Sequence, residues 1–350
     1  MRFFFEVSRN FDMKQQPLDF IHIGLGKCAS TYLQNVFNSD PDFNLFDLAN
    51  IVALSVEKSR EGANPKDFSD VTISTDPSIL SYAHKFNVSS AEGFTFVSEQ
   101  AHYENILSLY KVSAHFLGKS QLSSKILLMI RNPVEWIRAA HEQSIKEGGF
   151  GSYGEYYEKE KTYLENSLNI NEIINAYANY FDVFTLSADQ LRSEPDDFWE
   201  LFSKNLDVGV PKKEIREQVS QNKLAVNASL KGRRHKLAML NKFSSAKYNS
   251  LRGLEDYFAL IPEEAHMSLK LSEHEKWSNR RIVEFATPEQ LDTLTAHFED
   301  IDDTEFTRTY IDQHMKDHLL INFIEPLEKS DLVPRKLIDT YLDSINTALI

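Results

Sequence analysis

Short apolar runs alternate with stretches of helical spacing along the first part of the chain. The runs that indicate strands are Leu18–Gly24, Phe94–Ser98, Lys125–Ile130 and Phe181–Leu186. Runs of this length are typical of strands buried inside a parallel sheet. Because a helical stretch follows each run, the pattern predicts parallel β-α-β units and an α/β fold with a doubly wound parallel sheet flanked by helices.

Two prolines and the C-terminal residues complete this interpretation. Pro133 and Pro195 stand where helices are expected to begin, since the fixed φ of proline suits the first helical turn. The segment between Pro41 and Ser90 is less regular and is predicted to decorate the sheet. We expect an α/β nucleotide-binding domain over residues 1–245. Residues 246–350 are expected to be a mainly helical, acidic extension packed on it.

Charge is distributed unevenly along the chain. The whole sequence has a net charge of −14, which argues against a dedicated nucleic-acid binder. Residues 201–250 nevertheless contain 11 basic and 3 acidic residues, whereas residues 251–350 contain 10 basic and 21 acidic residues. We therefore expect any bound anion to be small and held locally, because the overall field repels a polyanion.

The cysteine content and the apolar runs indicate the compartment. Cys28 is the sole cysteine, so no intrachain disulfide can form, which fits a reducing environment. The N-terminal apolar run stops after three phenylalanines and does not resemble a signal peptide. Runs such as Ile126–Ile130 are far shorter than the ~20 residues that span a bilayer. We expect a cytoplasmic protein without an integral membrane segment.

The loop after the first strand has the composition of an anion site. In open α/β sheets, ligands bind beyond the carboxyl ends of the strands. Gly24 and Gly26 allow the backbone to approach an anion, and the N–H groups at the start of the following helix point towards it. Lys27 adds a positive charge, and two hydroxyls stand close by. The predicted binding residues are Gly26, Lys27, Cys28, Ala29, Ser30 and Thr31.

This loop is not a Walker A loop. That pattern requires glycine where Ile21 stands and a hydroxyl where Cys28 stands, so a nucleoside triphosphate with magnesium is poorly supported. No histidines and carboxylates cluster at ligand spacing, and we expect no metal. Taken alone, the loop is also compatible with a glycine-containing turn that carries a surface lysine.

Two motifs together resemble a known family. Ile23–Gln34 reads I-G-x-x-K-x-x-S-T-x-L-Q and resembles the 5′-phosphosulfate-binding loop of sulfotransferases that use 3′-phosphoadenosine 5′-phosphosulfate (PAPS). Ile130–Trp136 resembles the second signature of that family, a strand ending in R-[ND]-P. The resemblance covers roughly residues 18–245 and implies that Arg131 binds the 3′-phosphate. Ala139 stands where the family usually has a serine for the same phosphate. Either Arg131 binds that phosphate with less help, or a nearby group such as Ser144 or Arg138 takes the place of the serine.

The basic segment carries a third similarity to this family. Ser229–Arg234 is similar to the S-K-G-R loop of glycan sulfotransferases, which implies that Lys231, Gly232 and Arg233 contact the cofactor. Guanidinium and ammonium groups together suit a phosphate. The alternative is a solvated basic start of a helix.

The resemblance also suggests roles in catalysis. Sulfuryl transfer is similar to phosphoryl transfer, so positioning and charge stabilisation dominate. Lys27 is expected to stabilise the leaving oxygen. Glu99 is the first candidate for the general base because it follows the predicted strand Phe94–Ser98, and His102 is the second. A carboxylate at a helix N-terminus is the plainer interpretation of Glu99.

These observations predict a PAPS-dependent sulfotransferase. The expected reaction transfers the sulfuryl group to a hydroxyl or amine of a small-molecule, carbohydrate or lipid-linked acceptor and releases 3′,5′-adenosine bisphosphate (PAP). Two alternatives remain: a P-loop kinase of a small molecule, and a relative that binds the nucleotide without catalysis.

Overall fold

The sheet is fully parallel and has five strands in the described part of the chain. The computed structural model describes residues 17–60, 85–95, 106–146, 149, 151–228, 236–238, 289, 309–329 and 333–348, and of residues 222–228 the backbone only. The strands are β1 (Phe20–Gly24), β2 (Phe43–Phe46), β3 (Phe86–Ser90), β4 (Lys125–Ile130) and β5 (Asp182–Ser187). They lie in the order β2-β3-β1-β4-β5, with every pair parallel. The predicted α/β fold with a parallel sheet is therefore confirmed.

Helices connect and flank the strands. They are α1 (Ser30–Ser39), α2 (Ala49–Arg60), α3 (Ile106–Ser120), α4 (Pro133–Lys146), α5 (Tyr153–Ser167), α6 (Ile170–Ala178), α7 (Ala188–Ser193), α8 (Pro195–Leu206), α9 (Lys213–Ala228), α10 (Gln313–Leu319), α11 (Glu325–Lys329) and α12 (Arg335–Thr347). A 3₁₀ turn spans Glu92–Phe94, and a π-helical turn spans Leu320–Ile324. Pro133 and Pro195 begin α4 and α8, as predicted. No helix in the described ranges is both long and apolar enough to cross a membrane.

The chain forms two compact units. The first contains the sheet and consists of residues 1–136, 161–221 and 311–350. The second consists of residues 137–160 and 222–310. The predicted division at residues 245 and 246 stays a prediction, because most residues near it lie outside the described ranges.

The centre of the sheet is buried on both faces. All five residues of β1 are buried, as are all residues of β4 after Lys125. Phe20 of β1 packs against Phe37 of α1 and Phe202 of α8, with ring centroids 5.8 and 5.5 Å apart. These two helices therefore cover the same face of β1. The continuous apolar runs of β1 and β4 are the pattern that such burial requires.

The predicted start of the second strand is wrong. Phe94, the first residue of the predicted strand, ends the 3₁₀ turn, and residues 96–100 lie outside the described ranges. The segment predicted to decorate the sheet instead contributes β2 and β3. The reason is the composition of β3, Phe-Asn-Val-Ser-Ser, which places the polar Ser89 in the interior without an apolar run to indicate it.

Candidate functional site

Four strand ends meet along one rim of the sheet. The strand β1 lies between β3 and β4, and β4 pairs with β5. Gly24 is in register with Met129, and Ile130 is in register with Ser187. The segments that follow these strands are residues 25–29, 91–95, 131–132 and 188–189. After β1 the chain first adds strands on the side of β3 and later adds β4 and β5 on the other side. The loop after β1 therefore lies at the switch in strand order where doubly wound sheets bind ligands.

The loop after β1 contains two residues in the left-handed conformation. Lys27 and Ala29 each have φ of 68°. Ala29 is the N-cap of α1, and its side chain makes no capping hydrogen bond. A non-glycine residue in this region costs roughly 1–2 kcal/mol, and such strain concentrates at ligand sites. Left-handed residues in a turn also direct backbone N–H groups towards a common concavity that suits an anion.

A buried hydrogen bond fixes the shape of this loop. Trp136 of α4 donates from Nε1 to the carbonyl oxygen of Gly26 over 2.6 Å, and the indole is buried. The N–H of Cys28 donates to the carbonyl oxygen of Leu25 over 3.1 Å. The cysteine side chain is fully buried, and burial raises the pKa of its thiol, so it remains protonated. Sequence reasoning missed Trp136 as a site residue, although it stands inside the R-N-P signature.

Two buried polar atoms below the loop have no hydrogen-bond partner. They are Nε2 of His22 and the hydroxyl oxygen of Ser30. A Cβ added to Gly24 would lie 2.9 Å from that nitrogen and 3.0 Å from that oxygen, so any larger residue would force these buried side chains to shift. Nδ1 of His22 is 2.6 Å from the hydroxyl oxygen of Ser90, and burial lowers the imidazole pKa to about 3. The unpartnered serine hydroxyl at the start of α1 fits a loop that receives an anion.

Arg131 lies directly after β4 with its hydrogen-bonding capacity largely unused. Its side chain is 14% exposed, and its buried Nε has no hydrogen-bond partner. Nη2 is 3.7 Å from Oε2 of Glu135, and Nε is 4.0 Å from Oδ1 of Asp189. The two carboxylates compensate the charge of Arg131, but both distances exceed the range of a hydrogen bond. The guanidinium therefore keeps donors for an oxyanion.

The predicted site residues fall into three groups. The loop residues Gly26–Thr31 and Arg131 lie on the same rim, and Lys27 is exposed there. Ala139 lies in α4, in the second unit. The predicted residues Glu99, His102, Lys231, Gly232 and Arg233 lie outside the described ranges.

A carboxylate missed by the sequence reasoning follows β3. Glu92 begins the 3₁₀ turn, and the hydroxyl of Thr95 fastens this turn to the carbonyl oxygen of Gly24. Glu92 also interacts electrostatically with the Cys28 thiol. A sequence prediction that placed β3 at Phe86–Ser90 would have identified Glu92 as a residue that follows a strand end. Within the described ranges, no three His, Cys, Asp or Glu side chains are grouped to hold a metal, and the expectation of a metal-free site stays a prediction.

Solved structures include one that is similar to this chain in fold. No family model matches the chain, and no curated protein matches it. The crystal structure of a sulfotransferase from Alicyclobacillus acidocaldarius shares 13% sequence identity, with a TM-score of 0.39. The match covers 67% of this chain and 98% of that chain. A TM-score this low carries no functional argument, so the case for function rests on the residues of the rim.

Proposed function

We propose that the protein is a sulfotransferase that uses PAPS. The observation that carries the proposal is the pairing of two anion-binding features on adjacent strands. The strained loop after β1 carries the exposed Lys27, and the unpartnered Ser30 hydroxyl is buried directly behind it. Arg131 directly follows the neighbouring strand β4, and its Nε has no hydrogen-bond partner. A nucleotide with phosphates at its 5′ and 3′ positions matches two separate sites better than a triphosphate chain does.

Each feature has a distinct role in the proposal. PAPS, when bound, supplies the sulfuryl group. Lys27 and the first N–H groups of α1 bind the 5′-phosphate. Lys27 also stabilises the negative charge that develops on the leaving oxygen of this phosphate. Ser30 and Thr31 add hydrogen bonds from their hydroxyls. Arg131 binds the 3′-phosphate with its guanidinium fork.

The remaining residues of the proposal come from the sequence. Glu99, with His102 as the alternative, accepts the proton of the acceptor hydroxyl or amine. Lys231, Gly232 and Arg233 add contacts to the nucleotide. The acceptor is a carbohydrate, a lipid-linked group or another small molecule, and the acidic C-terminal residues disfavour a heavily sulfated polymer.

Calorimetric titration tests the nucleotide. We expect tight binding of PAP in the presence of EDTA and weaker binding of adenosine 5′-phosphate. Arg131→Ala should lower the affinity for PAP to that for adenosine 5′-phosphate. The control is Arg335→Ala, which removes an exposed arginine on α12. A preference for ATP with magnesium would instead support the small-molecule kinase and end this proposal.

Transfer of labelled sulfate tests the reaction. The protein is incubated with radiolabelled PAPS and fractionated cell extracts, and labelled products are separated. Glu99→Ala should abolish labelling while leaving PAP affinity unchanged, and labelling at the wild-type rate would remove Glu99 as the base. PAP binding without labelling of any fraction would favour a nucleotide-binding relative that lacks catalysis.

A further inference from the structure

A helix from the far end of the chain reaches the strand end that carries Arg131. The hydroxyl of Tyr341 in α12 lies 2.9 Å from Oδ2 of Asp189 and 2.6 Å from the hydroxyl oxygen of Ser187. From the same helix, Ser344 donates to Oδ1 of Asn132 over 3.2 Å. All these residues belong to the first unit. The R-N-P segment is therefore contacted by a helix about 200 residues away in sequence.

The protons of this cluster can be assigned from its geometry. The Asp189 carboxylate only accepts, so Tyr341 must donate its single hydroxyl proton to it. The Ser187 hydroxyl then donates to the phenol oxygen of Tyr341. Burial raises the pKa of Tyr341, so the phenol remains a donor at all relevant pH values.

One oxygen of Asp189 is fully engaged, and this determines its relation to Arg131. Oδ2 accepts from the phenol and also from the N–H of Asn132, the latter over 2.6 Å. The carboxylate is thereby held at 4.0 Å from Nε of Arg131. At this distance Asp189 compensates the charge of the arginine without taking its hydrogen-bond donors.

We propose that Tyr341 is a positioning residue for recognition of the 3′-phosphate. It restrains Asp189 so that the carboxylate cannot rotate into a direct, bidentate pair with Arg131. The guanidinium fork stays open for the phosphate, and α12 thereby contributes to nucleotide selectivity. This inference rests on the proposed function, because it concerns the same arginine and the same phosphate.

The test compares two nucleotides that differ only in the 3′-phosphate. The ratio of the affinities for PAP and adenosine 5′-phosphate is measured by calorimetry for the wild type and for Tyr341→Phe. We expect the variant to lose about tenfold in this ratio, entirely through weaker PAP binding. Tyr110→Phe is the matched control, since that phenol is also fully buried and donates to a backbone oxygen over 3.1 Å.

A second background separates the restraint of Asp189 from a general effect of Tyr341→Phe on the fold. In Asp189→Asn the carboxylate that Tyr341 restrains is absent, so adding Tyr341→Phe should change the ratio by less than about twofold. An unchanged ratio in the single variant, or equal weakening of both nucleotides, would overturn the role of Tyr341. A wild-type protein that does not prefer PAP would overturn the proposed function as well, and this result separates the two failures.

Discussion

Replacing Trp136 with phenylalanine tests whether the loop after β1 is held by one hydrogen bond. The change removes the Nε1 donor that lies 2.6 Å from the carbonyl oxygen of Gly26. A buried carbonyl left without a partner costs about 1–3 kcal/mol. Trp199 offers a matched control, because it is equally buried but its Nε1 makes no hydrogen bond. Both substitutions remove a similar volume. Trp199→Phe also weakens the contact with Arg216, whose guanidinium carbon lies 5.5 Å from the ring centroid, so the difference is a lower limit for the hydrogen bond of Trp136.

The free energy of unfolding is measured by urea titration, with far-UV circular dichroism as the signal. Trp136→Phe should destabilise the protein by about 1–3 kcal/mol more than Trp199→Phe does. It should also weaken PAP binding, because the released loop must be ordered again by the ligand. Equal destabilisation by the two variants would refute the reasoning, and so would an unchanged affinity for PAP in Trp136→Phe.

Three further predictions concern the residues around the loop. Gly24→Ala places a Cβ within 3.0 Å of two buried atoms and should cost about 1–3 kcal/mol in urea titrations, whereas Gly151→Ala, whose nearest contact is 3.3 Å, should cost less. Between pH 6.5 and about 3, His22 is protonated in the unfolded chain only. The free energy of unfolding should therefore decrease by up to ~1.4 kcal/mol for each unit by which the pH is lowered. That dependence should be weaker in His22→Gln, and identical slopes would contradict it. Ala29→Gly should raise the midpoint of urea unfolding because glycine accepts φ of 68° without strain; a lower midpoint would contradict it.

The apolar strands could be predicted because burial on both faces requires a continuous run of apolar residues in the sequence. β4 matches its predicted bounds, and β1 begins two residues later than predicted. β3 could not be found in this way, since its Asn87, Ser89 and Ser90 interrupt the apolar pattern. Its place in the sheet depends on pairing with β1 and β2, which are distant in sequence.

The candidate site was predictable to the same extent. The glycines and lysine of the loop and the R-N-P segment stand beside strands that sequence patterns reveal. The supporting contacts of Trp136, Asp189 and Tyr341 are tertiary, and each joins residues more than 50 positions apart. No local pattern distinguishes Tyr341 from the other tyrosines, since its role depends on where α12 packs.

The contact between α12 and the strand ends has a consequence for synthesis of the chain. Tyr341 and Asp189 are separated by 152 residues. At roughly 5–20 residues per second, the ribosome needs about 8–30 s to make the intervening chain. During that interval β4 and β5 can pair, but Asp189 lacks its phenol partner. During synthesis the strands beside Arg131 can therefore pair before the restraint of Asp189 by Tyr341 is available, when Asn132 alone holds that carboxylate.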